Sequence, residues 1–317
     1  MSYRHNRKDI LARAAAGWDR MTQRWPHLES AVSVQRRLVS RSLELGQAID
    51  EHFPVDVSFQ PARLAEKLRA KTPMLAGEWL VVTGGTLRSF VIGFCTDLGT
   101  GETGGPAGRL GQILARDEID AGSLVAASIG RQQEAIRAKA HHVGVAADLL
   151  WLVSELAAAP IANRLQKTLT GEMAVEHPDL ESLIAEWDRG FCSVCGSWPT
   201  FAEHADGEGS GRGLRCSFCG IAWNPGGGCI YCQEGGESLI TAAVDPERPS
   251  RRLELCRQCG GYLKCLDVQA PMPFELLTVE DLDTHDLDIG AAERGYSRPS
   301  LRTFTAGDVP CPPVSGE

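Results

Sequence analysis

The sequence predicts a multidomain protein of α plus small β class, in which an all-helical N-terminal domain is followed by two small β modules and a C-terminal helix. Three observations carry this prediction. The chain has 317 residues, more than one typical domain, and apolar residues recur at helical spacing as far as Trp187. After Gly190, four Cys-X-X-Cys pairs replace the long apolar runs. We place the helical domain at 1–187, a first four-cysteine metal module at 188–226, and a second, with an acidic helix and tail, at 227–317.

Helical periodicity is clearest at the start of the chain. Ile10, Ala14 and Trp18 fall on one helical face, and a similar apolar face continues from Leu28 to Ile49. These patterns predict several packed helices in the first domain.

The middle of this domain is less regular. The stretch GEWLVVTGGTLRSFVIGF that includes Trp79 fits a hairpin or a buried helix, and we favour the helix. A glycine-rich stretch over 99–111 predicts a loop, after which helical patterns resume. The most apolar segment, 143–162, contains Asp148, Glu155 and Pro160, so we predict a buried helix there rather than a membrane span.

Four Cys-X-X-Cys pairs dominate the last third of the chain. Two residues between cysteines let one tight turn present both sulfurs to a single cation, and two such turns complete a tetrahedral site. With 20 residues between Cys195 and Cys216 and 23 between Cys232 and Cys256, the spacings are close to those of zinc ribbons. Two mononuclear sites are predicted, and we favour sequential pairing of the four turns over interleaved pairing. The first comprises Cys192, Cys195, Cys216 and Cys219, and the second Cys229, Cys232, Cys256 and Cys259.

The residue after each pair supports tight turns. Glycine follows the second cysteine in three pairs, as Gly196, Gly220 and Gly260, and Gln233 takes this position in the remaining one. We expect that turn to be less regular or more open. Disulfides or a thioredoxin-like redox pair are the alternatives to metal sites, and tetrahedral sulfur ligation suits either zinc or iron.

Three cysteines lie outside the motifs. We interpret Cys95 as a buried small hydrophobe and Cys311 as incidental to function. Cys265 follows the last motif by six residues, and we interpret it as a spectator, with a redox neighbour of the metal site as the alternative.

Charge and motifs argue against several function classes. The net charge is −9, and residues 188–317 carry 11 basic and 19 acidic side chains, which disfavours nucleic-acid binding. The sequence GTGETG at 99–104 matches a phosphate-loop pattern only formally, because Pro106 and further glycines follow where a helix should begin. His141 and His142 are adjacent on a predicted helix and cannot form an i, i+4 ligand pair. The start MSYRHNRKDI lacks a signal-peptide apolar run, so we expect a cytoplasmic protein.

Taken in order, the cysteine motifs resemble a known family. The series FCSVCGSWP, GLRCSFCGIAW, CIYC and LCRQCGGYLKCLD, followed by VEDLDTHDLD and AAERGYSRPS, resembles the formate dehydrogenase accessory protein FdhE family. The resemblance implies a cytoplasmic, non-enzymatic assembly factor with two rubredoxin-like modules. It also implies that the eight paired cysteines bind iron, and that the partner is the molybdenum-containing catalytic subunit of a respiratory formate dehydrogenase before export.

Two segments could carry a partner-binding surface. Residues 1–41 contain nine basic and three acidic side chains, and the predicted acidic helix contains the run Glu280–Asp288. In that helix, Thr278 and Asp281 resemble a capping box, and Gly295 a C-terminal cap. The competing functions are a zinc-ribbon nucleic-acid-binding protein and a rubredoxin-like electron carrier that acts on the same enzyme.

Overall fold

The computed structural model describes residues 7–99, 105–205 and 211–298. Within these ranges the chain forms two compact units. The first contains the described residues of Met1–Gln60 and Leu75–Leu165, and the second contains Pro61–Met74 and the described residues from Gln166 onward.

The first unit is a helical bundle with one small two-stranded sheet. Its helices are α1 (Arg7–Arg24), α2 (Glu29–Glu51), α4 (Gly84–Leu98), α5 (Gly105–Ala115), α6 (Ala121–Ile129), α7 (Gln133–Val143) and α8 (Ala147–Lys167), which crosses into the second unit. Ile10, Ala14 and Trp18 are buried on α1, as the helical periodicity predicted. The Asp97 carboxylate on α4 pairs with the Arg41 guanidinium on α2, which fixes the two helices side by side.

The stretch near Trp79 is part strand and part helix. Strand β2 (Val81–Val82) pairs antiparallel with β1 (Val55–Asp56), and α4 begins directly afterwards at Gly84. The predicted helix is therefore right for the second half of the stretch and wrong for the first. The difference has a physical cause: the valines gain a partner strand about 26 residues earlier in the chain, which no local pattern reveals.

The glycine-rich stretch also contains more helix than predicted. Helix α5 begins at Gly105, so the absence of a following helix is not a valid argument against a phosphate loop at 99–104. The stronger argument is that α4 precedes this stretch, where a phosphate-loop motif requires a strand. Residues 100–104 lie outside the described residues.

The second unit is built on one mixed sheet. Its helices are α3 (Pro61–Arg69), α9 (Ala174–Glu176), α10 (Pro178–Ala185), α11 (Leu277–Asp283) and α12 (His285–Ala292). Its strands are β3 (Phe201–Ala205), β4 (Arg212–Arg215), β5 (Ala222–Trp223), β6 (Leu239–Ala243), β7 (Arg251–Cys256) and β8 (Tyr262–Val268). The spatial order is β5-β4-β3-β8-β7-β6, and every neighbouring pair is antiparallel except β3 with β8.

This sheet joins the two cysteine-rich segments. The parallel pairing of Phe201 with Lys264 and of Ala205 with Val268 places strands of the first segment directly beside strands of the second. The domain limits at 187 and 226 stay predictions, and the compact units described above follow different limits.

The predicted C-terminal helix consists of two helices. Helix α11 ends at Asp283 and α12 begins at His285. At the junction, the Thr284 hydroxyl and its backbone N–H both donate to the Glu280 carbonyl, at 2.7 and 3.0 Å. Thr278 lies inside α11, and a short 3₁₀ turn (Phe274–Leu276) precedes it, so the predicted capping box is wrong. Gly295 does adopt the left-handed conformation of a C-terminal cap, with φ of 78°.

Helix α8 (Ala147–Lys167) covers most of the apolar segment 143–162 and is largely buried, as predicted. Pro160 lies buried inside this helix. No helix in the described ranges combines the length and the apolar character needed to cross a bilayer.

Candidate metal centres

The structure collects the eight paired cysteines into two groups of four. Within each group, the four sulfur atoms lie within 4.8 Å of one another. The members are Cys192, Cys195, Cys216 and Cys219 in the first group, and Cys229, Cys232, Cys256 and Cys259 in the second. We call these groups site 1 and site 2. The grouping follows the order along the chain.

All four Cys-X-X-Cys turns share one hydrogen-bond pattern. In the first turn, the Cys192 N–H donates to the Ser197 carbonyl (2.9 Å), and the Gly196 N–H donates to the Cys192 carbonyl (3.0 Å). The same two bonds recur in the turns that begin at Cys216, Cys229 and Cys256, at 2.7–3.1 Å. The repeated hydrogen bonds fix the two cysteines of each turn in the same arrangement. Each site is formed by two such turns, whose sulfur atoms face each other.

The residue after each turn has a left-handed backbone. Gly196 and Gly220 have φ of 77° and 84°, and Gln233 adopts 66° in the third turn. Gln233 therefore completes the same turn at a steric cost that glycine avoids. The turn is as regular as the others, so that part of the expectation is wrong. The turn is more open, because its Cys232 is the one partly exposed cysteine of the two groups.

Backbone amides point at the sulfur atoms. The N–H groups of Val194 and Cys195 donate to Cys192 Sγ at 3.3 and 3.4 Å, and the Tyr231 N–H donates to Cys229 Sγ at 3.4 Å. Such donors stabilise a thiolate and tune a bound metal. They are the amides that a tight turn brings near the sulfur.

The electrostatics of site 1 favour neutral thiols unless a cation is present. Burial raises the pKa of the Cys192 and Cys219 thiols well above the ordinary value. In site 2, burial raises the pKa of Cys229 to about 12. Burial acts in the same direction on Cys256, but backbone N–H groups of Cys259 and Gln258 outweigh it and lower the pKa of this thiol.

The sulfur spacing fits a tetrahedral metal ion rather than disulfides. The closest pairs in site 1, Cys192 with Cys219 and Cys195 with Cys216, are both 3.5 Å apart. In site 2 the corresponding distances are 3.7 and 3.6 Å. A disulfide requires about 2.05 Å, and a tetrahedron with metal–sulfur bonds of about 2.3 Å has edges near ~3.8 Å. Each group could therefore hold one metal ion, and zinc and iron fit the donor set equally well.

The two sites differ in exposure. All four cysteines of site 1 are buried, and in site 2 Cys232 is partly exposed. Site 2 therefore has an edge that reagents can reach without unfolding of the protein.

We expect a thiol-alkylating reagent to modify Cys232 first in the metal-loaded protein, at least about tenfold sooner than any cysteine of site 1, because buried thiols react only after local opening. Peptide mass spectrometry over a time course measures this order. Cys95, which is buried in the other unit, is the internal control and should react as slowly as site 1. Equal rates at Cys232 and Cys192 would contradict the expectation.

An aromatic row runs through the region of both sites. Phe191 contacts Trp198 edge to face at 6.3 Å between ring centroids, and Trp198 contacts Tyr231 at 4.8 Å. Phe191 directly precedes Cys192, and Tyr231 lies inside the third turn. Gly190 is part of this packing, since a Cβ there would lie 1.9 Å from the Ile230 carbonyl oxygen. The side chains around site 1 and site 2 thus form one packed layer.

Carboxylates of the acidic segment 280–288 form ion pairs with basic side chains of the same chain. Arg251 pairs with Glu280 and Asp283, both at 2.6 Å, and Arg248 pairs with Asp283 and Asp286. These bonds tie α11 and α12 to the sheet side of the unit. These carboxylates of the predicted acidic helix are therefore already paired with arginines of the same chain.

A buried lysine completes this docking. The Lys264 side chain on β8 is fully buried, and its Nζ pairs with Asp281 at 2.9 Å and Asp288 at 2.6 Å. Sequence reasoning missed Lys264. The signal was available, because Tyr262, Lys264 and Leu266 alternate along one strand, which places the lysine among inward-facing side chains.

The other singled-out residues lie apart from both sites. Cys95 is buried on α4, as interpreted, and burial raises its pKa to about 12. His141 and His142 are exposed at the end of α7. Cys311 lies outside the described residues.

Comparison with known proteins gives matches in sequence and in fold. The Protein FdhE of Escherichia coli O127:H6 is 30% identical over 160 residues, which is 50% of this chain and 47% of that protein. The Protein FdhE of Shigella boydii serotype 18 is 29% identical over the same lengths. The matched region spans about half the length of these curated relatives, and no family model matches the chain.

A solved structure extends the similarity to nearly the whole chain. The crystal structure of the FdhE protein from Pseudomonas aeruginosa superposes with a TM-score of 0.61 and 21% identity, covering 93% of this chain and 95% of that one. The predicted fold class, a helical N-terminal part followed by small β modules with two four-cysteine groups, is confirmed. In sequence over half its length and in fold over nearly all of it, the chain resembles the FdhE proteins, as the order of its cysteine motifs predicted.

Proposed function

We propose that this chain is a cytoplasmic accessory protein for formate dehydrogenase, which binds the immature molybdenum-containing catalytic subunit before export and catalyses no reaction itself. The observation that carries the proposal is the pair of four-cysteine groups in the unit built on one six-stranded sheet, within a fold shared with an FdhE protein. The role of site 1 and site 2 in this proposal is to hold one metal ion each. Iron is the metal that the family resemblance favours, and zinc is the alternative.

The binding surface we propose lies on the N-terminal helices. The carboxylates of α11 and α12 already pair with Arg248, Arg251 and Lys264, so a partner would have to compete with these bonds. On α1, Arg13 and Arg20 are exposed and lie seven residues apart, on one helical face. An acidic surface of the catalytic subunit would complement this face.

Binding of the catalytic subunit tests the proposal. We expect the metal-loaded chain to bind subunit that lacks its molybdenum cofactor, and to bind the mature enzyme more weakly, in calorimetry or in co-purification. R13E/R20E should weaken binding about tenfold or more at low salt. R69E, which reverses an exposed arginine of the second unit outside both sites, is the matched control and should have no effect. No binding by the folded, metal-loaded chain would overturn the accessory function.

A second candidate, an electron carrier for the same enzyme, is favoured by the partly exposed Cys232 at site 2. Metal analysis and an optical spectrum of anaerobically purified protein separate the two. About two irons per chain, with sulfur-to-iron bands that bleach on reduction, would support electron transfer. Two zinc ions and no visible bands would remove it and leave binding as the function.

A further inference from the structure

Three further potential ligands converge beside site 2. His204 on β3, Glu254 on β7 and Cys265 on β8 each offer one ligand atom, and these atoms lie within 4.8 Å of one another. Strand β8 lies between β3 and β7, and its Cys265 is opposite Ala202 on one side and Arg252 on the other. His204 and Glu254, each two residues further along, therefore share the face of Cys265.

The present partners of these three groups leave coordinating atoms available. The Arg212 guanidinium pairs with Oε2 of Glu254. The other oxygen, Oε1, lies 3.9 Å from His204 Nε2, too far for a hydrogen bond. The thiol of Cys265 has a long contact of 3.8 Å with the Leu263 carbonyl and also hydrogen-bonds to the Glu254 carboxylate, so a metal ion would replace the thiol proton between these two groups. In this arrangement Oε1 and Nε2 face each other with no hydrogen bond between them, so both can serve as ligand atoms.

Separations of this size suit a transition-metal ion. With bonds of about 2.0–2.3 Å to nitrogen, oxygen and sulfur, a tetrahedral ion sets its ligand atoms about 3.3–3.8 Å apart. The His204–Glu254 separation of 3.9 Å is already close to this value. Imidazole, thiolate and carboxylate together are a zinc-type donor set.

Charge and access are also compatible with a divalent ion. The Glu254 carboxylate and a Cys265 thiolate together carry two negative charges, which match a divalent ion, and binding would release the thiol proton to solvent. The Arg212 guanidinium on Oε2 adds a positive charge that lowers the affinity of the site. The side chains of Glu254 and Arg212 are 8% and 12% exposed, and that of His204 is 36% exposed. His204 therefore provides a route for an ion between solvent and two buried ligands.

We propose that His204, Glu254 and Cys265 form a third cation site for a divalent transition-metal ion of the zinc type, with its fourth position open to water. The site differs from site 1 and site 2 in three ways: it has mixed donors, one ligand at the surface, and no Cys-X-X-Cys turn. Three protein ligands with an open position are the arrangement of exchangeable or reactive metal sites rather than of closed structural ones. Cys265 is then a ligand and not a spectator.

Cobalt binding to the full chain tests this site. Protein loaded with two zinc equivalents is titrated with Co²⁺, and retention of both zinc ions is checked by elemental analysis. We expect one further equivalent to bind, with a thiolate-to-cobalt absorption band. H204A should weaken this binding at least about tenfold, and C265S should remove the band. H177A and C95S, which change an exposed histidine and another buried cysteine, are the matched controls and should behave as the wild type.

The proposal is overturned if no further equivalent of cobalt binds, or if it binds equally to H204A and to the wild type. It is also overturned if the controls weaken binding as much as H204A does. Should C265S fail to retain two zinc ions, H204A decides the outcome, because its side chain is partly exposed and its loss leaves the core intact.

Discussion

Replacing Cys192 by serine is expected to unfold the second unit around site 1. A structural zinc site with four thiolate ligands contributes roughly 10 kcal/mol or more of folding free energy, and whole domains have only about 5–15 kcal/mol. Cys192 is fully buried, and its sulfur accepts two backbone N–H bonds. Serine cannot replace it as a ligand, because the metal binds the thiolate and a serine hydroxyl does not ionise near neutral pH. We expect loss of one metal ion per chain and of the near-ultraviolet circular dichroism of the packed Trp187 and Trp198 side chains.

C95S is the matched control for this experiment. Cys95 is equally buried but belongs to neither site 1 nor site 2, so its replacement should cost about 1–2 kcal/mol and leave the metal content unchanged. A C192S protein that keeps two metal ions and the wild-type unfolding midpoint would show that site 1 contributes nothing to stability.

Replacing Lys264 by methionine is expected to destabilise the protein by about 2 kcal/mol, because it removes a buried ammonium from between two carboxylates. Arg298 still lies 3.5 Å from Asp281 and 3.6 Å from Asp288, so the loss is smaller than for carboxylates left with no partner. Methionine has a similar volume, so little of the loss comes from a cavity. The Lys264 ammonium also donates to the Asp281 carbonyl and the Thr284 hydroxyl, and these bonds hold the junction of α11 and α12. Urea denaturation measures the change in the free energy of unfolding.

Two further variants sharpen this second test. K167M changes an exposed lysine of the same unit and should alter stability by less than about 0.5 kcal/mol. The double variant K264M/D281N removes one of the two carboxylates as well, while Asp288 keeps Arg298 as a partner, and it should recover part of the loss. If K264M unfolds at the wild-type urea concentration, the buried ion pairs do not hold α11 and α12 in place.

The features that could be predicted from sequence are those encoded by local patterns. Helical periodicity predicted α1 and α2, and the spacing of the cysteine motifs anticipated which sulfurs meet in site 1 and in site 2. Each motif is a single turn whose geometry depends on about five consecutive residues. The binding of metal by these cysteines stays a prediction.

The features that were missed depend on distant partners. Strand β2 exists because Val55 and Asp56 are available to pair with it, and the pairing of β3 with β8 joins residues more than about 60 positions apart. The convergence of His204, Glu254 and Cys265 arises only from that pairing, since the three lie on separate strands. Local sequence carries no trace of such registers.

The parallel pairing of β3 with β8 has a consequence for synthesis on the ribosome. All four cysteines of site 1 leave the exit tunnel before β8 does, so a nascent chain can gather these sulfurs while one edge of β3 still lacks its neighbour. An open strand edge is prone to pairing with other chains. Early capture of a metal at site 1 would shorten the period in which the emerging chain is vulnerable to aggregation, so the supply of metal during translation should affect the yield of folded protein.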